Sequence, residues 1–314
     1  MFGIFENNQL NPIGLDIGED AVRIIQLRDN GQEVLLCAGC SEHRPENIEP
    51  GSGNWQKWTI AAIHSMLENS KFQGKNAVAA LPSDDTFIDC LKVSGCNNIS
   101  GEKLSELIVP KIKQKLPFEP SKAVIKCIPC EDDNVIALAT DRQKIDIHVA
   151  IYERIPLSVK SIAVWPLALV SCYVKFFGRR KTDVDSVVML ADVGPKNVNV
   201  VISRHKNLLF ARSLPLGLDL LNGEEMTTRL AVELNACRRC FSSMYRSGQI
   251  DRLIFLTGNG VDRETFAKIA KQMELPAQMG DCLAATRIEN PWNCKVERKG
   301  CKESWAAVCG LSLS

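Results

Sequence analysis

"GLDIGEDAVRIIQLR" spans residues 14–28 and "LADVGPKNVNVVISR" spans residues 190–204. Both run apolar into Asp-x-Gly, turn, and run apolar again. Superposed on Asp16 and Asp192, Gly18 meets Gly194, Val22 meets Val198, Ile24 and Ile25 meet Val200 and Val201, and Arg28 meets Arg204. Short apolar runs broken by a glycine turn read as antiparallel strands. A third strand follows each pair, at 33–38 after an Asn30-Gly31 turn and at 207–214 after "RHKN". In each half a helix then feeds one more strand. The first helix, 55–69, carries Trp55, Trp58, Ala62, Ile63 and Met66 at helical spacing and leads to a strand at 76–81. The second, 224–246, carries Leu230, Leu234, Cys237, Phe241 and Met244 and leads to a strand at 252–257. Such a repeat predicts a duplicated α/β fold of two lobes facing one another.

Between the copies lies different material. Residues 87–154 predict a compact insert: a strand (FIDCLKV), a helix (EKLSELIVPKIKQKLPF) that Pro110 should kink or split, and three strands (AVIKCIPC, NVIALATD, KIDIHVAIY). IAVWPLALVSCYVKF reads as a helix returning to the first lobe, followed by a polar linker. The expected division is 1–86 first lobe, 87–154 insert, 155–185 return to the first lobe, and 186–314 second lobe. DRETFAKIAKQM adds a helix and AAVCGLSLS closes the chain.

The 314 residues are 45% hydrophobic and 24% charged with a net charge of +1, a globular composition with no electrostatic reason to bind nucleic acid or an anionic membrane directly. No apolar run approaches the ~20 residues of a membrane helix. The lead MFGIFENNQLN is too short and polar for a signal peptide, so the expected location is cytoplasmic. Thirteen cysteines include three C-x-x-C pairs, Cys37/Cys40, Cys127/Cys130 and Cys237/Cys240. They sit in strand and helix patterns, and most are read as isolated buried thiols in a reducing compartment, with no four converging on one metal. His43, His64, His148 and His205 lie singly, His148 in an expected strand, and no pattern marks a catalytic base.

The two Asp-x-Gly turns carry the candidate chemistry. A turn presents backbone N–H groups to an anion, and glycine lets the chain approach a ligand without a Cβ in the way. Aspartate does not bind phosphate, but it can hold hydrated Mg²⁺ or orient a water. Facing each other, two such turns would clasp a nucleotide's phosphates. A strand ending in LTGNG, with Gly258, Asn259 and Gly260, would face the purine.

These residues resemble the actin-like ATPase superfamily, which includes actin, Hsp70, sugar kinases and FtsA. Residues 16–18 look like its first phosphate motif, 192–194 like the second and 256–260 like the adenosine motif. Within it the sequence is most similar to the PilM family of type IV pilus assembly proteins. The order of pieces carries this: the polar lead and GLDIG strand, the insert helix ending in a "PF" corner at Phe118, the helix LAVELNACRRCFSSMYRS, and the ending AAVCGLSLS. The resemblance covers nearly the whole chain. It implies an FtsA-like insert, binding of ATP and Mg²⁺, and a groove beside the insert for the cytoplasmic tail of a PilN-like inner-membrane protein. Such a protein works with other pilus components, reaches the membrane only through partners, and is compatible with a homo-oligomer.

Residue by residue, the resemblance implies nucleotide contacts at Asp16, Gly18, Asp192, Gly194, Lys196, Asn197, Gly217, Glu233, Gly258, Asn259 and Gly260, with Mg²⁺ at Asp16 and Asp192. Glu233 would bond a ribose or pair with Arg229 four residues earlier. Departures from the family pattern are concentrated in these loops. Glu19 and Asp20 replace small hydroxyl residues, Lys196, Asn197 and Asn199 stand where a threonine or serine is usual, Asn259 replaces a glycine, and Leu218 follows Gly217 where a second glycine is usual. Carboxylates beside a triphosphate repel it, so the expectation is weakened ATP binding and weak or absent hydrolysis. Two alternatives remain. A GspL-like type II secretion component has a membrane helix after this kind of domain, and none is seen through Ser314. A small-molecule kinase of the same superfamily needs a base and substrate pocket.

Overall fold

In the computed structural model the described residues are 10–95, 99, 101–221, 223–245, 248–296 and 298–314. The lead through residue 9, Cys96 and the expected helix end at residue 246 lie outside them. Strands β1 (Leu10–Ile17), β2 (Ala21–Asp29) and β3 (Val34–His43) form an antiparallel meander. Helix α1 (Gly53–Glu68), capped by Ser52 accepting from the Trp55 N–H, leads into β4 (Asn76–Ala80). The second copy is β9 (Val187–Val193), β10 (Val198–Arg204), β11 (Asn207–Leu214), α5 (Glu224–Met244) and β12 (Arg252–Leu256). In each, the first strand pairs antiparallel with the second and parallel with the fourth. The registers agree too. Asp16 stands opposite Arg23 and beside Ala80, as Asp192 stands opposite Asn199 and beside Leu256.

Each sheet gains one parallel strand beyond its fourth. In the second lobe α6 (Arg263–Met273) precedes β13 (Ala277–Gly280), giving the order β11-β10-β9-β12-β13. In the first it is β8 (Ser158–Ala163), giving β3-β2-β1-β4-β8, with short β14 (Arg287–Ile288) added outside β3. The start of the expected helix near 160 is therefore strand. Val164 is extended, and Pro166 fits the first turn of α4 (Trp165–Phe176), where its missing N–H costs nothing.

Strands β5 (Phe87–Lys92), β6 (Ala123–Pro129) and β7 (Asn134–Asp141) form a separate three-stranded sheet with β7 central. Helix α2 (Glu102–Ile112) covers it with Leu104, Ile108 and Ile112 buried. Pro110 lies in the last turn of α2 and does not split the helix, which ends two residues later rather than reaching Phe118. The expected third strand, KIDIHVAIY, is instead helix α3 (Arg142–Tyr152), capped by Asp141 accepting from the Gln143 N–H. Its alternating pattern misled, because only His148, Ile151 and Tyr152 are buried, which is helical spacing. His148 is thus a core helix residue, its Nε2 3.9 Å from an Asp85 oxygen.

Trp165, Leu169 and Tyr173 of α4 lie in a core that reaches both sheets, with Ile25 and Leu36 on one side and Leu190 and Ile254 on the other. The last helix, α7 (Ala306–Ser312), packs on β1 and α4. A Cβ on Gly14 would lie 2.3 Å from the Val308 carbonyl oxygen, so only glycine admits this approach.

The C-x-x-C pairs are split by geometry. On a strand, residues three apart point to opposite faces. Cys127 on β6 packs against the small-sheet core while Cys130, just past the strand, joins the central one; on α5 Cys237 is buried while Cys240 is exposed. Three thiols outside these pairs are not isolated. Cys172 and Cys282 approach to 3.1 Å between sulfurs, and Cys309 belongs to the same buried cluster. Helices α4 and α7 bring them together, which spacing in the sequence does not reveal. Among the described residues no group of three or more His, Cys, Asp or Glu is arranged to hold a metal ion.

Candidate functional site

The two Asp-x-Gly turns face one another across a cavity between the lobes. Each is closed by the same bond: Gly18 N–H donates to the Ala21 carbonyl and Gly194 N–H to the Asn197 carbonyl, both at 2.9 Å. Asp16, Gly18, Asp192, Gly194, Lys196 and Asn197 all line this cavity. Six of the residues singled out from the sequence are thus brought together.

Other groups fill the same space. Arg23, only 6% exposed, sits among three carboxylates. Its guanidinium is 3.6 Å from Asp16, 2.8 Å from Asp20, and donates twice to Glu303, from Nε at 3.1 Å and from Nη2 at 2.5 Å. Lys196 reaches across to Glu19 at 2.9 Å, and the Asn197 amide donates to Ser83 Oγ at 3.0 Å and Asp84 Oδ1 at 2.9 Å. The cleft is bridged by the protein's own side chains.

Burial sets the charges. It pushes the Asp16 carboxyl above the ordinary range despite Arg23, and it pushes Asp192 up to about 7, Ser304 and Asn199 offsetting only part. One Asp192 oxygen is buried without a partner among the described residues. Asp84 is raised as well, again mainly by burial.

The remaining sequence-predicted residues lie elsewhere. Gly217 backs the second turn, where a Cβ would fall 2.1 Å from the Pro195 oxygen. Glu233 is half-buried on α5 and does not line the cavity. Gly258, Asn259 and Gly260 face a segment of this chain, not open space. Gly258 N–H donates to the Lys302 carbonyl at 3.2 Å and Gly260 N–H to the Cys301 carbonyl at 2.7 Å. The Asn259 amide donates to the Arg298 carbonyl and accepts from Gly300 N–H.

Sequence reading missed Arg23, Glu303 and the pair Ser83 and Asp84. Arg23 had a signal, since the repeat sets it against Asn199 as the residue opposite the aspartate. Glu303 had none, being 280 positions away from its partner.

Bound Mg-ATP fits this donor set poorly. A hard cation needs ionised oxygens. Yet a guanidinium already sits on Asp16. Lys196, the one lysine in the cavity wall among the described residues, is paired with Glu19, while Asp20, Asp84 and Glu303 add negative charge where a triphosphate would lie.

The family model for the type IV pilus assembly protein PilM matches residues 14–240. No curated protein matches the sequence. Among solved structures, the PilM-PilN type IV pilus biogenesis complex is similar at 16% identity and a TM-score of 0.74, over 96% of this chain and 98% of that one. A Bacteroides thetaiotaomicron protein with an actin-like ATPase fold and unknown function is similar at 13% identity and 0.51, over 91% and 96%. The cytoplasmic domain of EpsL, an inner membrane component of the type II secretion system of Vibrio cholerae, follows at 10% and 0.49, over 96% and 92%. The duplicated sheets, the facing Asp-x-Gly turns and the family match together establish an actin-like protein that belongs to the type IV pilus assembly protein PilM family.

Proposed function

We propose that this protein is a docking component of type IV pilus assembly that holds the cytoplasmic tail of a PilN-like inner-membrane protein, and that it turns over ATP negligibly. One observation carries the reading: the likeness to the PilM-PilN complex covers nearly all of both chains. Among the described residues no helix is long and apolar enough to cross a membrane, so contact with the inner membrane would come through such a partner. Under this reading the protein sits at the cytoplasmic face.

The insert, 87–154, supplies the docking surface in this reading. Between α2 and β6 runs an open groove of about 750 Å³, walled by Ser105, Val109, Pro110, Ile125 and Cys127, against about 120 Å³ in the cleft between the turns. β6 is an edge strand of its sheet, and an extended peptide can add to such an edge while its side chains enter the neighbouring groove.

A fluorescently labelled peptide of the PilN-like protein's cytoplasmic tail, titrated with this protein, tests the proposal. Saturable binding is expected, weakened at least tenfold by Val109→Glu, which puts a charge into the groove. Absence of binding, or equal binding to the variant, contradicts docking in this groove.

A further inference from the structure

Residues 298–304 run from the loop after β12 to the cleft, where Glu303 and Ser304 line its wall. This segment follows the second lobe's sheet and leads into α7, which packs on the first lobe. Along the way it is held at both ends. At one end it covers the loop after β12. The N–H groups of Gly258 and Gly260 are spent on the Lys302 and Cys301 carbonyls, and Asn259 is bonded on both sides of its amide. There is no room for a ligand atom between the layers: a Cβ on Gly258 would lie 2.2 Å from the Cys301 oxygen, and one on Gly260 2.0 Å from the Gly300 oxygen. At the other end Glu303 takes two hydrogen bonds from buried Arg23, the residue that also neutralises Asp16 and Asp20.

We propose that residues 298–304 are a built-in strap that closes the cleft in place of a nucleotide, with the Arg23 to Glu303 contact as its latch. Arg23 then stands as an internal cation between the acidic first turn and the strap. The lobes stay together through the protein's own groups, and Mg-ATP is not a resident ligand. A phosphate-binding purpose for Gly258 and Gly260 is replaced by a backbone-packing one. This inference is independent of tail docking, because a strapped protein binds or fails to bind a tail on the insert either way.

Hydrogen exchange and calorimetry test it. The natural protein should bind Mg-ATP more weakly than about 1 mM, and millimolar Mg-ATP should leave exchange in 256–260 and 298–304 unchanged. Glu303→Gln removes the latch's charge at constant shape, and Asn259→Ala loosens the strap from the other side. In either variant, shown to be folded by circular dichroism, exchange in both segments should rise at least tenfold. Binding of Mg-ATP tighter than about 1 mM by the natural protein overturns the proposal and needs no variant. Exchange at the natural rate in the folded variants overturns the latch.

Discussion

Arg23 and Asn199 occupy one position in two copies of the same hairpin, each directly opposite the aspartate that opens its turn. The pairing with Asp16 gives a half-buried ion cluster, and the pairing with Asp192 gives only a neutral amide beside a carboxyl that burial pushes up to about 7. The duplicated backbone thus holds two different electrostatic environments, an arginine facing one aspartate and an amide the other.

Stability should therefore fall as pH rises. Folded Asp192 keeps its proton up to about pH 7, against an ordinary value of 3.8, so between those values the folded state holds the extra proton. Stability is fully present below about pH 4 and is lost as pH rises through about 7. Asp192→Asn removes this penalty. Urea unfolding should show the variant more stable by roughly 1–3 kcal/mol at pH 8 and indistinguishable near pH 4. A variant less stable than the natural protein at pH 8 would show that the ionised carboxylate is needed.

Arg23→Ala should cost about 2–4 kcal/mol, because it strands Asp16, Asp20 and Glu303 together in a half-buried cluster. Arg23→Lys should recover little of this, since an ammonium cannot make the two-point contact with Glu303. Denaturation midpoints of the two variants decide it, and full recovery by lysine would mean that charge alone matters.

Much of the fold could be read from residues 14–28 and 190–204, because a repeated hairpin constrains register, and register fixes which strands neighbour which. What could not be read depends on contacts distant in sequence. KIDIHVAIY alternates like a strand, yet its cap at Asp141 and its packing partners make it helix α3. The site shows the same division. Six residues near the two turns were legible as a set. The strap was not, since nothing in "RKGCKES" marks it as the segment that lies on Gly258 and Gly260.

Gly310→Ala should destabilise by about 2–3 kcal/mol through overpacking. The added Cβ would sit 1.8 Å from the Ala168 oxygen, where α7 crosses α4. A thermal melt checks this, and an unchanged midpoint would mean the two helices separate freely.

Among the described cysteines only Cys240 is exposed. With Cys96 replaced by serine, a disulfide reagent should modify Cys240 within minutes in the native protein. Cys172, Cys282 and Cys309 should react only on unfolding, because all three are buried and the reagent must reach the sulfur. Early modification of the buried three, read by peptide mass spectrometry, would show that the junction between α4 and α7 opens in the native state.

The central claim is a tail-docking protein whose lobes are held by its own strap. Calorimetric titration of the PilN-like tail peptide into nucleotide-free protein, repeated with saturating Mg²⁺ and millimolar ATP, tests it most directly. Saturable binding with the same affinity in both conditions, within about threefold, is the predicted result. Binding that appears only when Mg-ATP is present, or no binding in either condition, would contradict the account.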